Sequence, residues 1–266
     1  MQLTAIRLTS GMSRARPNNM EPTPADFSLE HEPASASRTD KGVGSGPWLG
    51  GLDATCEDCM ALMARYPDKY FDLAIVDPPY GINAAADKRG GKQHGAAAAP
   101  SKSYGAKTWD VAIPPMEYFA ELRRVSRHQI IWGGNYFPLA PSRCWVVWDK
   151  LNGDNGYADC ELAWASFDKA VRKFEFRWAG MLQGNMAEKE ERIHPTQKPV
   201  ALYRWLLENY AEPGQRILDT HLGSGSHAIA AHYFGAHLTA CEIDPEYYAA
   251  AMARIKRETA QTTLFT

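Results

Sequence analysis

The stretch DLAIVDPPYG places a carboxylate, two prolines and a tyrosine directly after an apolar run of strand type. Proline has a fixed φ angle and no N–H donor, so Pro78 and Pro79 predict that the chain leaves the sheet rigidly at this point. The carbonyl of Pro78 then has no partner in the sheet and is available to a ligand. Asp77 is expected at the carboxyl edge of a parallel sheet, where α/β folds bind ligands.

These four residues match the needs of an exocyclic amine on a flat ring. The Asp77 carboxylate and the Pro78 carbonyl can each accept one amino hydrogen, and Tyr80 can stack on the ring, which is worth roughly 1–3 kcal/mol for a base. The two acceptors aim the nitrogen lone pair at an electrophile, and methylation from a sulfonium then gains mainly from proximity and orientation. The alternative is a plain Asp-Pro turn that a tyrosine follows by chance.

A glycine turn in RILDTHLGSGSHAIAAHYFG is the second chemical signal. We predict that a strand ends at Asp219, that the glycines let a ligand approach the backbone, and that a helix begins near Ser226 with free N–H groups. About one strand later, Glu242 can accept both hydroxyl hydrogens of a ribose. The pattern predicts a nucleoside-binding βαβ unit. Its G-x-G-x-x-A spacing also satisfies the dinucleotide fingerprint, so a nicotinamide dehydrogenase is a genuine alternative at this stage.

Short β-like runs alternate with helical patterns around these two turns. The β-like runs are apolar nearly throughout, which indicates strands covered on both faces. Helical patterns lie at 116–125, at 200–210 and after Asp244-Pro245. We therefore predict an α/β layered domain with a largely parallel sheet. The strand candidates are WLGGLDAT, FDLAIVD, HQIIWGG, CWVVWDK, ELAWASF, QRILD and HLTACEI. The side chains expected on the buried side of the helix at 116–125 are Met116, Phe119, Leu122 and Val125.

Composition limits the class of protein. The chain has 266 residues, 45% hydrophobic and 23% charged, as in an ordinary soluble globular protein. Residues 1–46 are rich in Pro, Ser, Ala, Gly and charge and predict a disordered tail, whereas 47–266 predict one folded domain. No apolar run is long enough to span a membrane, and five cysteines, an odd number, predict a reducing cytoplasmic setting. Cys56 and Cys59 lack a second pair, so no metal site is expected.

DPPY followed far downstream by D-x-x-x-G-S-G, with HPTQKP at 194–199 between them, resembles the amino-group DNA methyltransferases of the β order. In that family the catalytic motif precedes the cofactor motif. The resemblance covers about 48–260 and implies a Rossmann-like class I methyltransferase fold, with a mostly parallel seven-stranded sheet and helices on both faces. It also implies S-adenosyl-L-methionine as cofactor. A dehydrogenase has no use for DPPY. An aspartate before Pro-Pro-Tyr resembles the adenine-N6 subgroup, since the cytosine-N4 subgroup more often has serine there.

The resemblance also implies roles for individual residues. Asp77, Pro78, Pro79 and Tyr80 would form the catalytic motif, and Glu242 would hold the ribose. Thr220 and His221 depart from the commoner proline and phenylalanine before the glycines, and we expect His221 to affect packing rather than catalysis. The other cofactor-binding residues implied are Asp58, Thr196, Lys198, Asp219, Gly223, Ser224 and Gly225. Asp58 has a simpler alternative role as the cap of a helix beginning at Cys59. Thr196 and Lys198 could reach the cofactor carboxylate or instead brace their loop.

A paired adenine amine can be methylated only after the base is flipped out of the duplex. Because the net charge is −2, double-stranded DNA must be bound by local patches. One candidate patch is a basic loop at 84–108, and the other is a small target-recognition region at 168–193, whose RKFEFRW also fits an amphipathic edge strand. Their basic residues are Lys88, Arg89, Lys92, Lys102 and Lys107 in the first, and Lys169, Arg172, Lys173 and Arg177 in the second. The second region is small, so a homodimer could help to cover the DNA.

Two further alternatives share part of this signal. An RNA or protein-amide methyltransferase could use the same pair of acceptors, and a nucleoside-binding module without catalysis could keep the glycine turn. The two basic, aromatic-containing segments favour nucleic acid as the partner. An intact DPPY beside an intact glycine turn argues against loss of catalysis.

Overall fold

The structure, a computed structural model, describes residues 51–83, 109–153, 158–179, 182–187 and 189–260. The predicted tail at 1–46 and the predicted basic loop at 84–108 lie outside the described residues. In the described part of the chain, no helix combines the length and the apolar character needed to cross a membrane.

Within the described residues, eight strands form one sheet in the order β1-β10-β9-β2-β3-β5-β4-β6. Neighbours run parallel except at β5, which lies between β3 and β4 and is antiparallel to both. A separate antiparallel hairpin pairs β7 with β8. The strands are β1 (Leu52–Cys56), β2 (Phe71–Val76), β3 (Ser126–Trp132), β4 (Cys144–Asp149), β5 (Cys160–Ala165), β6 (Arg172–Glu175), β7 (Trp178–Ala179), β8 (Leu182–Gln183), β9 (Arg216–Asp219) and β10 (His237–Glu242).

Helices cover both faces of the sheet. Along β2, Leu73 and Ile75 join a core with residues of α3, α4 and α5, whereas Ala74 and Val76 join a core with residues of α1 and α2, as the two-residue period of a strand requires. The helices are α1 (Cys59–Met63), α2 (Met116–Val125), α3 (Val200–Tyr210), α4 (Ser226–Phe234) and α5 (Pro245–Ala260), with a short 3₁₀ turn at Gly134–Tyr136.

The predicted α/β architecture with a mostly parallel sheet is confirmed, and each of the seven strand candidates contains a strand. The predicted number of strands is wrong by one. The RKFE part of the predicted recognition region forms β6, an edge strand parallel to β4, which brings the sheet to eight. The predicted burial of Met116 is also wrong, because its side chain at the first turn of α2 is 49% exposed. Tyr118 is buried instead.

Candidate active site

Three neighbouring parallel strands lead to the site. β10, β9 and β2 lie side by side, and Glu242, Asp219 and Asp77 stand at or just beyond their carboxyl ends. This edge of a parallel sheet is where α/β folds bind ligands. A cleft opens there, and its wall brings together predicted residues from distant parts of the sequence. They include Asp58, Asp77, Thr196, Gly223, Ser224 and Glu242.

The glycine turn adopts the tight geometry that its sequence predicts. Gly223 and Gly225 have φ angles of +53° and +75°, in the left-handed region that favours glycine. A Cβ at Gly225 would lie 2.8 Å from Ile255 of α5, so only glycine allows α4 to begin this close to α5. A Cβ at Gly223 would make only ordinary van der Waals contacts, at 3.8 and 4.0 Å. The backbone of Gly223 is therefore open to the cleft.

Asp219 braces the turn from behind. Its Oδ1 accepts the backbone N–H of His221 at 3.0 Å, and its Oδ2 pairs with His227 Nδ1 of α4 at 3.0 Å. Asp219 is 2% exposed, and both of its oxygens are engaged inside the protein. Asp219 and Gly225 are not among the residues that line the cleft, and their predicted contact with the cofactor stays a prediction.

Arg254 supports the same turn from α5. Its guanidinium donates to the carbonyl of Ser224 and to the hydroxyl of Ser226, both at 2.9 Å, and pairs with Glu190 at 2.7 Å. The sequence pattern did not single it out. A charged residue on the buried stripe of α5, between Ala251 and Ile255, is the signal that identifies it in retrospect.

Glu242 faces the cleft while its carboxylate organises the backbone. Oε2 accepts the N–H of Gly223 at 2.9 Å, and Oε1 accepts the N–H of Asp244 at 3.0 Å. Burial raises the pKa of Glu242, and these two N–H groups work in the opposite direction. Each oxygen keeps a second lone pair, so the carboxylate can still accept hydroxyl hydrogens as predicted.

Asp58 is the N-cap of α1. Its Oδ1 accepts the backbone N–H groups of Met60 at 2.8 Å and Ala61 at 3.2 Å, which is the simpler of its two predicted roles. The side chain also lines the cleft, so the cap does not remove it from reach of a ligand. The predicted contact with the cofactor stays a prediction.

His194, the first residue of HPTQKP, forms the centre of an aromatic wall. Its ring stacks on Trp109 at 5.3 Å and meets Tyr247 edge-on at 4.4 Å. Burial, together with the nearby Lys198 charge, lowers the pKa of His194 to about 4, so the ring is neutral near pH 7. Thr196 contacts His194 Nδ1 at 3.1 Å through its hydroxyl, which fixes this part of the wall.

His221 packs as an aromatic ring beside the glycine turn. It meets Tyr118 edge-on at 5.6 Å, and its Nδ1 lies 2.9 Å from the hydroxyl of Thr220. Burial lowers the pKa of His221 to about 4. This neutral, packed state agrees with the expectation that His221 contributes to packing.

Asp77 is held by two donors at the closed end of the cleft. Tyr80 donates its hydroxyl hydrogen to Asp77 Oδ1 at 2.6 Å, and the Lys198 ammonium donates to Asp77 Oδ2 at 2.5 Å. The side chain of Lys198 is 3% exposed and also reaches the Tyr80 oxygen at 3.1 Å. Lys198 thus contacts the catalytic motif and also lines the cleft, and its predicted contact with the cofactor stays a prediction.

A second carboxylate completes this cluster. Glu161 of β5 lies 3.1 Å from the Lys198 ammonium through Oε2 and 2.5 Å from the Lys150 ammonium through Oε1. The sequence pattern did not single out either residue. A glutamate inside the apolar run CELAWASF was the available signal, because a carboxylate in a buried strand needs a partner.

Burial and charge act against each other in the cluster. Burial raises the pKa of Asp77, and the Lys198 ammonium offsets part of that rise. Burial alone would raise the pKa of Glu161 too, but Lys198 and Lys150 hold it below its usual value. Although burial disfavours a charged lysine, Asp77 and Glu161 keep the pKa of Lys198 above its usual value. The cluster thus contains two carboxylates and two ammonium groups that stabilise one another.

The DPPY turn has its own supports. The carboxylate of Asp110 accepts the N–H groups of Tyr80 and Gly81, and the Tyr80 ring stacks on Tyr136 at 5.0 Å with 13° between the planes. Gly133 makes this possible, because a Cβ there would come within 2.2 Å of the Tyr80 ring. Neither Asp110 nor Tyr136 carried a sequence signal. One face of the tyrosine predicted to stack on a base is therefore covered by Tyr136.

The predicted DNA-binding residues fall into three groups. Lys169 donates to the carbonyl of Asn209 at 3.1 Å, and Lys173 pairs with Glu175, so both are engaged within the protein. Arg172 and Arg177 are exposed along the edge of the sheet, whereas the phenylalanines between them point inward. Lys88, Arg89, Lys92, Lys102 and Lys107 lie outside the described residues.

A comparison with models of protein families matches part of the chain. Residues 157–253 match the N6/N4 methyltransferase family, described as DNA methylase. The matched range contains HPTQKP and the glycine turn. The match covers only residues 157–253, so it shows a similarity to this family over that part of the chain.

Two curated relatives cover most of the chain. A candidate methylase named YubD from Escherichia coli (strain K12) is 25% identical over 217 residues, covering 74% of this chain and 87% of YubD. Type II methyltransferase M.HpaI from Haemophilus parainfluenzae is 22% identical over 247 residues, covering 76% of this chain and 74% of M.HpaI.

Among solved structures, the PvuII DNA methyltransferase, described as cytosine-N4-specific, superposes with a TM-score of 0.50 at 13% identity and covers 79% of this chain and 91% of that chain. At this identity the similarity concerns the fold. The predicted class I methyltransferase fold is confirmed, with the eighth strand at its edge.

Proposed function

We propose that this chain, whose residues 157–253 match the N6/N4 DNA methylase family, methylates the N6 amino group of a flipped-out adenine in double-stranded DNA. One observation carries the proposal. Asp77, just beyond β2, and the glycine turn after β9 open onto the same cleft, at the carboxyl ends of adjacent strands. An acceptor for an amine therefore lies beside a nucleoside-binding turn.

S-adenosyl-L-methionine is the cofactor, and the residues of the cleft fit it. The open backbone at Gly223 suits its methionine end, Glu242 suits its ribose hydroxyls, and the Asp58 carboxylate suits its adenine amine. When bound, S-adenosylmethionine supplies an electrophilic methyl carbon on a positively charged sulfur.

The work of the protein is to orient the target nitrogen. The Asp77 carboxylate accepts one amino hydrogen and the Pro78 carbonyl accepts the other, so the nitrogen lone pair points at the methyl carbon. Pro79 fixes the path of the turn, and Tyr80, whose ring already stacks on Tyr136, is expected to stack on the base. S-adenosylmethionine would supply the methyl group, its sulfur keeping the electron pair of the broken bond, and the methylated nitrogen would then release one proton to solvent. No strong base is needed, because the proton leaves after the transfer.

Adenine and cytosine both present an exocyclic amine beside a ring nitrogen, so Asp77 can serve either base. The PvuII DNA methyltransferase, which has a similar fold, is described as cytosine-N4-specific, and N4-cytosine methylation is therefore the second candidate. Adenine is favoured by the aspartate before Pro-Pro-Tyr, where the cytosine subgroup more often has serine.

DNA is expected to contact the exposed Arg172 and Arg177 together with the predicted basic residues at 84–108. Phosphate contacts of this kind make binding fall steeply with salt. Lys169 and Lys173 are expected to contribute less than these arginines, because the protein already engages both side chains.

The experiment is a methylation assay with three substrates. Labelled S-adenosylmethionine is incubated with duplex DNA, structured RNA and a protein extract, and the products are digested to nucleosides and amino acids for mass spectrometry. We expect N6-methyladenine in DNA. N4-methylcytosine supports the second candidate instead, and label found only in RNA or in glutamine overturns the proposal.

Two variants test whether methylation depends on Asp77. Asp77→Asn removes the charged acceptor and is expected to abolish methylation. Asp72→Asn makes the same change on the same strand, where Asp72 contacts Arg216 away from the cleft, and should keep normal activity. Full activity in Asp77→Asn contradicts the proposed role of the carboxylate.

A further inference from the structure

The cluster around Asp77 creates a conflict for the proposed reaction. The target amine must donate a hydrogen to the Asp77 carboxylate, but Lys198 already donates to Oδ2 at 2.5 Å and Tyr80 to Oδ1 at 2.6 Å. The Lys198 ammonium sits 5.3 Å above the Trp132 ring and is 3% exposed, so water cannot readily take the place of its carboxylate partners. Each Asp77 oxygen keeps a second lone pair, but an oxygen that already accepts from an ammonium is a weaker acceptor for the amine. Binding of the amine therefore favours transfer of the ammonium from Oδ2 to another negative partner.

Glu161 is placed to be that partner. Its Oε2 already lies 3.1 Å from the Lys198 ammonium, so transfer from one carboxylate to the other needs only a small rotation of the lysine. Lys150 holds the other oxygen of Glu161 at 2.5 Å, which keeps the carboxylate ionised and in place. A buried ammonium without any partner is strongly unfavourable, so Lys198 needs Glu161 as a second partner.

We propose that Glu161 is a positioning residue, which receives the Lys198 ammonium when the target amine takes its place at Asp77. This inference rests on the proposed function. Lys198 has two tasks in it: it keeps Asp77 ionised before the base arrives and yields Oδ2 afterwards. Glu161 itself touches neither the base nor the cofactor and acts only through Lys198.

Removing the charge of Glu161 and removing the charge of Lys198 should shift the pKa of Asp77 in opposite directions. The charged and titratable groups that face Asp77 are Lys198, Glu161, Tyr80 and Tyr203, with Lys150 behind Glu161. Glu161→Gln removes a neighbouring negative charge, so Asp77 stays ionised to lower pH. Lys198→Met removes the neighbouring positive charge, so Asp77 becomes protonated at higher pH.

The test combines kinetics with a titration that needs no DNA. Steady-state methylation is measured against pH for wild type, Glu161→Gln, Glu161→Asp and Lys198→Met, and cofactor affinity is measured by calorimetry. We expect Glu161→Gln to lower kcat roughly 10- to 100-fold, the size of loss that misplacement near the reacting atoms causes, with cofactor affinity unchanged. The acid limb of the pH–rate profile should move to lower pH in Glu161→Gln and to higher pH in Lys198→Met. Glu161→Asp should recover part of kcat.

The titration follows the Asp77 carboxyl carbon by NMR in labelled protein without DNA, and its signal is identified by its loss in Asp77→Asn. We expect the Asp77 midpoint to fall in Glu161→Gln and to rise in Lys198→Met. Glu121→Gln is the matched control. Glu121 has a similar exposed fraction, 22% against 24% for Glu161, and it pairs with Arg124 on α2, away from the cleft. It should change neither readout.

The proposed function and the inference about Glu161 can be overturned independently of each other. A wild-type protein that methylates no nucleic acid overturns the proposed function, while the titration still decides whether Glu161 and Lys198 set the charge of Asp77. An active wild type whose Glu161→Gln variant keeps kcat and the pH profile overturns the inference alone. Equal shifts of the Asp77 midpoint in the same direction for both variants also overturn it.

Discussion

Asp110 holds the catalytic turn through a single oxygen, because its Oδ1 accepts the backbone N–H groups of Tyr80 at 2.7 Å and Gly81 at 2.9 Å. Asp110 lies 30 residues after Tyr80 in the sequence, and it is 2% exposed. The two prolines remove donors from this turn, so the remaining N–H groups depend on a side chain for their partner. Asp110 therefore determines where Tyr80 and the end of the DPPY motif lie.

Asp110→Ala should lower kcat for methylation with little effect on cofactor affinity, since the glycine turn is untouched. Leaving buried N–H groups unpaired should also lower stability by about 1–3 kcal/mol. Asp110→Asn keeps an acceptor oxygen and should retain most of both properties. Kinetics, calorimetry and thermal unfolding of the two variants check this. An equal loss of cofactor affinity in Asp110→Ala contradicts a role confined to the turn.

Gly225→Ala should be more destabilising than its positive φ alone explains. The new methyl group meets Ile255 at 2.8 Å, so α4 and α5 must move apart and the glycine turn with them. Gly214→Ala is the control, because Gly214 has a φ of +85° and no atom of the described residues within 4 Å of the new Cβ. Thermal unfolding should show Gly225→Ala less stable than Gly214→Ala by at least about 1 kcal/mol, or roughly 2–4 °C. Cofactor affinity should fall only in Gly225→Ala.

Acid should destabilise the protein through its buried histidines. The pKa of His221 is about 4 in the folded protein, because burial disfavours the charged ring, against 6.5 for a free histidine. Above pH 6.5 neither state binds the proton, so His221 adds no penalty. As the pH falls from about 6.5 to about 4, the unfolded state gains a proton that the folded state refuses, and stability drops by an amount of order 3 kcal/mol.

His221→Phe should remove that drop, because the ring still packs edge-on against Tyr118 but cannot be protonated. Urea unfolding at pH 7 and at pH 4.5 gives the comparison. The variant loses the contact with the Thr220 hydroxyl at both pH values, so the difference in stability between the two pH values is the quantity to compare. An unchanged pH dependence in His221→Phe shows that the acid sensitivity arises elsewhere, for example at His194.

Much of the fold follows from local patterns, and the helix at 116–125 illustrates why. The structure has α2 over the same residues, because Phe119, Leu122 and Val125 recur at helical spacing and face the sheet. Met116 was placed wrongly by the same periodicity, since spacing alone does not show that the first turn extends beyond the core. The edge strand β6 was ambiguous, because the alternation in RKFEFRW suits a recognition surface as well as a strand.

The site was only partly predictable, and Lys198 shows the reason. Its motif was recognised, but its partner Asp77 lies 121 residues away, and no local pattern reports a contact across that separation. Glu161 belongs to a third segment and enters the site because β5 runs antiparallel beside β3. Single residues recruited by topology, such as Asp110 and Glu161, become visible only when the strand order is known.

Asp58 allows a last prediction, because its two roles can be separated by substitution. As the N-cap of α1 it accepts two backbone N–H groups through Oδ1, and as part of the wall of the cleft it can accept the adenine amine of the cofactor. Asp58→Ser keeps a capping oxygen but loses the carboxylate, whereas Asp58→Ala loses both. We expect Asp58→Ala to lower stability by about 1 kcal/mol and Asp58→Ser by much less.

Cofactor affinity should fall in both variants to a similar extent, since neither retains a carboxylate that reaches the cleft. Thermal unfolding without cofactor measures the cap, and calorimetry with S-adenosylmethionine measures the contact. Asp53→Ser, at an exposed position of β1, is the control for loss of one negative charge near the start of the domain and should leave affinity unchanged. If Asp58→Ser binds the cofactor as tightly as the wild type, Asp58 is a helix cap alone, and the adenine amine must be recognised by other residues of the cleft.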